Sequence, residues 1–143
     1  GKPLMIHDRD AHDDIMRILH EEGAPERVVF HCFSGDAEFA RKCVEAGYVL
    51  SFAGAVTFRN AKDLRAAAQL VPQDQLLVET DAPFLTPHPF RGRPNEPYCA
   101  AYTLRDLAEL RGEDVGDLAS AVRATAERFF SLPSVTSHDS GGE

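Results

Sequence analysis

Apolar residues along this chain gather in short blocks, and the blocks alternate between two periods. Residues 3–7, Pro-Leu-Met-Ile-His, form a continuous apolar run that ends on a polar side chain. The run 28–33, Val-Val-Phe-His-Cys-Phe, is β-branched and aromatic, and further runs occupy 48–52 and 76–80. Blocks of this length, bounded by turn residues, predict strands. Between them the spacing becomes helical. Ala11, Ile15, Ile18 and Leu19 recur at i, i+4, i+7 and i+8. This predicts a helix over 11–22, with Asp10 as its cap and Gly23 as its left-handed stop. Phe39, Ala40, Cys43 and Val44 give one apolar stripe to a helix over 37–46, followed by Gly47. Asn60 is placed to cap a helix over 61–71.

The order β-α-β-α-β-α-β with short loops predicts parallel strands joined by right-handed crossovers, an α/β fold. The texture changes after Asp81. Five of the nine prolines fall between Pro83 and Pro97, which predicts an irregular loop. Two helices follow, over 98–111 and 115–130, the second carrying Leu118, Val122, Ala126 and Phe129 on one stripe. Residues 133–143 are expected to be a frayed, disordered tail behind one domain over 1–132.

Composition narrows the function classes. The 143 residues suffice for one domain, and 43% hydrophobic with 27% charged is the balance of a soluble globular chain. No run is long enough to span a membrane, and no secretory signal is expected. The chain opens on Gly1 and enters a strand at once, so a preceding segment is expected to be missing. With 15 basic against 23 acidic residues, the net charge of -8 disfavours a broad duplex-binding face. It leaves room for a small basic pocket. Cys32, Cys43 and Cys99 show no paired spacing and fit reduced thiols of a cytoplasmic protein.

His7, His31 and Asp81 each fall at the C-terminal end of a predicted parallel strand. Ligands and catalysis gather at that edge in α/β folds, and two imidazoles with a carboxylate suit a divalent metal. The plainer alternative is that each His bonds a backbone carbonyl. Glu79 stands two residues before Asp81, so strand alternation points both to one side, where Glu79 could orient a ligand. Asp8, Arg9 and Asp10 either tune the charge of that edge or start the helix. His12 and His20 read as surface residues, His138 lies in the tail, and Cys32 has the wrong parity for a ligand. Arg91 and Arg93, in Arg-Gly-Arg-Pro-Asn-Glu-Pro, offer forked donors for a phosphate in a proline-stiffened loop.

Four segments together resemble the TatD family of metal-dependent deoxyribonucleases. They are Pro-Leu-Met-Ile-His-Asp-Arg-Asp-Ala-His at 3–12, His-Cys-Phe-Ser-Gly at 31–35, Glu-Thr-Asp-Ala-Pro-Phe-Leu at 79–85, and the arginine loop at 91–97. The resemblance implies a partial (β/α)8 TIM barrel of the amidohydrolase type: the last four strands with their helices, plus two C-terminal helices. It implies His7, His31 and Asp81 as metal ligands, Asp81 and Glu79 as catalytic residues, and Arg91 and Arg93 as contacts to the substrate phosphate. Ser34 and Gly35 would shape the His31 loop. The implied cofactors are divalent metal ions (Mg, Zn or Mn), two per complete site, and the implied partner is DNA at single-stranded or frayed ends. The family's opening His-x-His pair and its Gly-Glu-x-Gly-Leu-Asp-like motif have no counterpart here. Thr125 stands where the family's last helix carries Asn. The expectation is therefore the C-terminal half of a metal-dependent phosphodiesterase, inactive when alone. The competing expectation is a catalytically inactive half-barrel or interaction module.

Overall fold

The computed structural model describes residues 1–133. Residues 134–143, nearly all of the predicted tail and with it His138, lie outside the described residues.

Four strands, β1 (Leu4–His7), β2 (Val28–His31), β3 (Val49–Phe52) and β4 (Leu76–Val78), form one parallel sheet in the order β1-β2-β3-β4. A strictly sequential parallel order, with no reversal, is the order within a barrel wall rather than that of a doubly wound sheet. Helices α1 (His12–Glu22), α2 (Ala37–Glu45) and α3 (Lys62–Leu70) connect the strands. Helices α4 (Ala100–Arg111) and α5 (Val115–Phe130) follow the proline-rich loop.

Strand alternation divides the sheet into two faces. Ile6, Val28, Phe30, Leu50, Phe52, Leu76 and Val78 meet the helices in the main core, against Leu19, Phe39, Ala40, Cys43, Ala67, Leu107 and Leu118. Val29, Val49 and Leu77 point the other way and are covered by Phe129 of α5. That end of α5 is tied beneath the sheet by Arg27, whose Nη1 donates to Phe129 O (2.6 Å) and Ser131 Oγ (2.8 Å). Thr125 is buried and donates to Gln73 O at 3.0 Å. The face opposite the helices is therefore apolar at its lower level, while His7 and His31 end their strands at its upper edge.

Several expectations need correction. Asp10 does not cap α1. It lies at φ 56, the N-cap position is Ala11 without a side-chain bond, and Asp8 Oδ1 accepts from Ala11 N at 3.1 Å instead. The left-handed kink at Asp10 folds the chain back so that Asp8 reaches the first turn. Asn60 likewise is not the cap of α3, which begins after Ala61 with no side-chain bond. Ile18 is 48% exposed, and Met16 packs against the core beside Ile15 and Leu19. The apolar stripe of the helix therefore runs through Ile15, Met16 and Leu19, with Leu19 its buried residue. β4 stops at Val78, not at residue 80, and β2 stops at His31 because Cys32 takes φ 47.

Candidate metal centre

His7 and His31 are the last residues of adjacent strands and are register partners. Parallel pairing therefore sets their side chains side by side, with ring centroids 5.5 Å apart and Nδ1 of His7 3.3 Å from Nε2 of His31. The other nitrogen of His31, Nδ1, lies 2.9 Å from Oε1 of Glu79. Glu79 is placed from the opposite edge of the sheet. It continues β4 by one hydrogen bond, its N–H donating to Phe52 O at 3.0 Å.

Asp81 is not a strand-end residue, which corrects the alternation argument. It sits at φ 55, three residues past β4, in the left-handed turn that opens the proline-rich loop. The turn nonetheless returns its carboxylate to the same point. One ligand atom from each of His31, Glu79 and Asp81 lies within 4.8 Å of the others, and all three side chains are half-buried. Among the described residues this is the group able to hold a metal ion. His7, more exposed, stands outside that trio but against His31.

The donor set fits a divalent cation. A carboxylate accepting the Nδ1 proton of His31 fixes the tautomer whose Nε2 lone pair is free, the usual partner arrangement of a ligating histidine. Two nitrogens each about 2.0–2.1 Å from one tetrahedral ion lie about 3.3–3.4 Å apart, which is the His7–His31 separation. The contact serves as an N–H···N bond when His7 carries the proton, and the same spacing would suit a ligand pair for a cation in that proton's place. The local field is negative. The Cys32 thiol is pushed up to about 11, by burial first and then by the charges of Asp81 and Glu79. Cys32 is thus a protonated neighbour of the centre.

The loop that carries Asp81 is held by residues that sequence reasoning left without a role. Asn95 is 4% exposed, and its Nδ2 donates to the carbonyls of Thr80 and Phe84, each at 2.7 Å. Its Oδ1 accepts from Glu96 N at 3.0 Å. Gly54, in the 3₁₀ turn Gly54–Thr57 after β3, lies directly against the same loop. A Cβ there would stand 1.9 Å from Leu85 O. The available signal was an amide between two prolines and a glycine flanked by alanines, neither of which reveals its partner.

Arg91 and Arg93 do not touch the trio. They are exposed and line a cleft of about 550 Å3 with Pro83, Leu85 and Thr86. The Arg91 guanidinium lies 4.0 Å over the Phe58 ring. Gly35 is packed between Phe33 and Phe39, and a Cβ would meet Phe39 Cδ1 at 2.5 Å, so it shapes the turn after His31. His20 is exposed, but His12 is not simply a surface residue. Its ring stacks on Phe39 at 4.1 Å and its Nδ1 bonds Asp8. Asp8 thus serves the start of α1. Another cleft, of about 610 Å3 and lined by Arg27, Asp74, Arg128 and Phe129 among others, lies at the opposite end of the strands. Among the described residues no helix is long and apolar enough to cross a membrane.

The sequence pattern described as TatD related DNase matches residues 1–131. The chain is 54% identical over 132 residues to the uncharacterized metal-dependent hydrolase TatD of Mycobacterium tuberculosis, covering 92% of this chain and 50% of that protein. It is 48% identical to the uncharacterized metal-dependent hydrolase YabD of Bacillus subtilis, with 91% and 51% covered. Among solved structures, the TatD homologue YjjV of Escherichia coli superposes with a TM-score of 0.85 at 34% identity, over 92% of this chain and 51% of that one. A TatD family hydrolase of Entamoeba histolytica shares the fold, with a TM-score of 0.82 at 16% identity and the same coverage. The chain thus spans about half the length of the relatives it matches, and its four strands with their helices correspond to half of a TatD-type barrel. With the family pattern running through all four strands and both final helices, the chain belongs to the TatD family of metal-dependent hydrolases.

Proposed function

We propose that this chain supplies the histidine–carboxylate part of a divalent-metal centre that hydrolyses DNA phosphodiesters from a strand end. The observation that carries the reading is the convergence of His7 Nδ1 on His31 Nε2 at 3.3 Å, with Glu79 on the far nitrogen of His31. His7, His31 and Asp81 hold the metal. Glu79 holds His31 in the ligating tautomer and supplies negative charge beside Asp81. Divalent ions bound there, two in a complete site, lower the pKa of water and neutralise a phosphodiester's charge. Arg91 and Arg93 receive the substrate phosphate, and the forked guanidinium favours a phosphate ester over an amide. A net charge of -8 favours single-stranded or frayed ends over duplex. The free cysteines fit a reducing, cytoplasmic setting.

Half coverage of the relatives supports a centre completed by ligands outside this chain. Equilibrium titration with Zn²⁺ or Mn²⁺ tests the ligands directly. His31→Ala and Asp81→Ala should each weaken binding by at least about tenfold. Joined to the remaining half of the M. tuberculosis relative, the chain should release nucleotides from DNA only with a divalent metal, and Asp81→Ala should abolish this. Activity that survives Asp81→Ala or chelation would refute the proposal. The chain alone should show little turnover.

The open edge of β1, where Met5 is 58% exposed, favours a second reading as an interaction module without turnover. Metal binding without hydrolysis in the completed protein would support that reading instead.

A further inference from the structure

Beside the arginine loop lies a second cleft, of about 510 Å3, lined by Thr57, Phe58, Arg59, Asn60, His88 and Arg91. It is built from two loops that are locked together. Thr57 is buried, its Oγ1 donates to Gly54 O at 2.8 Å, and the same oxygen accepts from His88 N at 2.9 Å. The backbone contact at Gly54 fixes the approach of the two loops. The stack of Arg91 on Phe58 then orders a planar cation and leaves its in-plane N–H groups for acceptors.

Charge identifies the ligand class. The chain carries -8 overall, yet none of the described residues lining this cleft is acidic. Among the described ion pairs none involves Arg59 or Arg91. Two guanidiniums, an imidazole and an amide around one concavity match a tetrahedral oxyanion. Phe58 and Arg91 also line the cleft beside Pro83 and Leu85, which follow Asp81 in the same loop. The two clefts therefore share a wall.

We infer that the cleft of Arg59, Asn60 and His88, which shares its Arg91 wall with the arginine loop, binds a second phosphate group of a single nucleic-acid strand, away from the bond that is cut. The inference rests on the phosphodiester reading of the neighbouring centre and assigns Arg59, Asn60 and His88 to substrate.

The test is fluorescence-anisotropy binding of a short oligothymidylate, with and without a 5′-phosphate, to the 143-residue chain in EDTA. Arg59→Gln combined with Asn60→Ala should weaken binding at least about tenfold and flatten the log K against log salt slope by about 0.7 for one lost phosphate contact. Arg59→Lys should restore most of the slope, and Arg17→Gln on α1 should change neither quantity. A loss confined to the 5′-phosphorylated strand assigns the cleft to a terminal monoester, and an equal loss on both strands assigns it to an internal diester. Unchanged affinity and slope in the double variant, or no binding by the parent chain, would overturn the inference. EDTA stops turnover, so the result reads the cleft whether or not the centre cuts DNA. A chain that binds the strand through Arg59 and Asn60, but never hydrolyses it when completed, would refute the proposed function alone.

Discussion

His31 is defined by what its two nitrogens touch. One is held by Glu79 at 2.9 Å, and the other faces His7 at 3.3 Å, so its orientation is fixed from both sides. Asn95 does the same for the backbone around Asp81, gripping the carbonyls on either side of the turn at Thr80 and Phe84. Asn95→Ala leaves those two carbonyls without their donor in a partly buried site. It should cost about 1–3 kcal/mol in urea unfolding and also weaken Zn²⁺ binding, because Asp81 loses its fixed position. A variant with the lost stability but unchanged metal affinity would show that Asn95 serves only the fold. The two histidines were legible because strand ends are marked by composition. Asp81 was legible as a residue but not as a conformation, since alternation fails once the chain leaves β4 and turns left-handed.

At the scale of elements, the strands and helices follow from apolar period, and the errors fall at their ends. Asp36 and Asp114 cap α2 and α5 through bonds to Phe39 N and to Gly116 N and Asp117 N, as short acidic side chains before helices do. α1 and α3 start without such a bond at the N-cap, and the preceding residues form turns instead, Asp8 Oδ1 accepting from Ala11 N and Phe58 O from Ala61 N. The 3₁₀ turn after β3 is the element that local pattern could not value. Its Gly54 meets Leu85 O and Pro87 N, both backbone atoms in a loop thirty residues on. Gly54→Ala should therefore destabilise by about 1–3 kcal/mol or more, since neither backbone atom is the flexible end of a side chain. The same substitution should lower metal affinity by displacing the Asp81 loop. Denaturation midpoints and metal titration of the variant check both effects, and wild-type values for either would contradict this account of the contact.

The whole molecule is a sheet with helices on one face and Phe129 closing the lower part of the other. Its core buries Cys43 completely, and burial, followed by the charge of Asp8, pushes that thiol from 9.0 up to about 12. The folded value lies above the unfolded one, so the folded chain holds the proton more tightly. This contribution is fully present below pH 9.0 and is lost as pH rises toward about 12. Wild-type stability should fall over that window, and Cys43→Ala should fall less steeply. Cys32 and Tyr48, also raised, keep some slope in the variant. Identical alkaline slopes in urea denaturation would refute a role for Cys43.

The sequence by itself determined the α/β class, the parallel order and the family, and it offered His7, His31, Glu79 and Asp81 as candidates for one centre. These reside in period and in short motifs, which the chain carries locally. Tertiary structure decided which of those residues meet. Register set His7 beside His31, a left-handed turn returned Asp81 to Glu79, and Asn95 and Gly54 fixed the loop between them. It also parted Arg91 and Arg93 from the metal trio and gave Arg91 a shared wall with Arg59. Such juxtapositions join positions tens of residues apart through register and backbone contact, and neither is written in the local pattern of side chains.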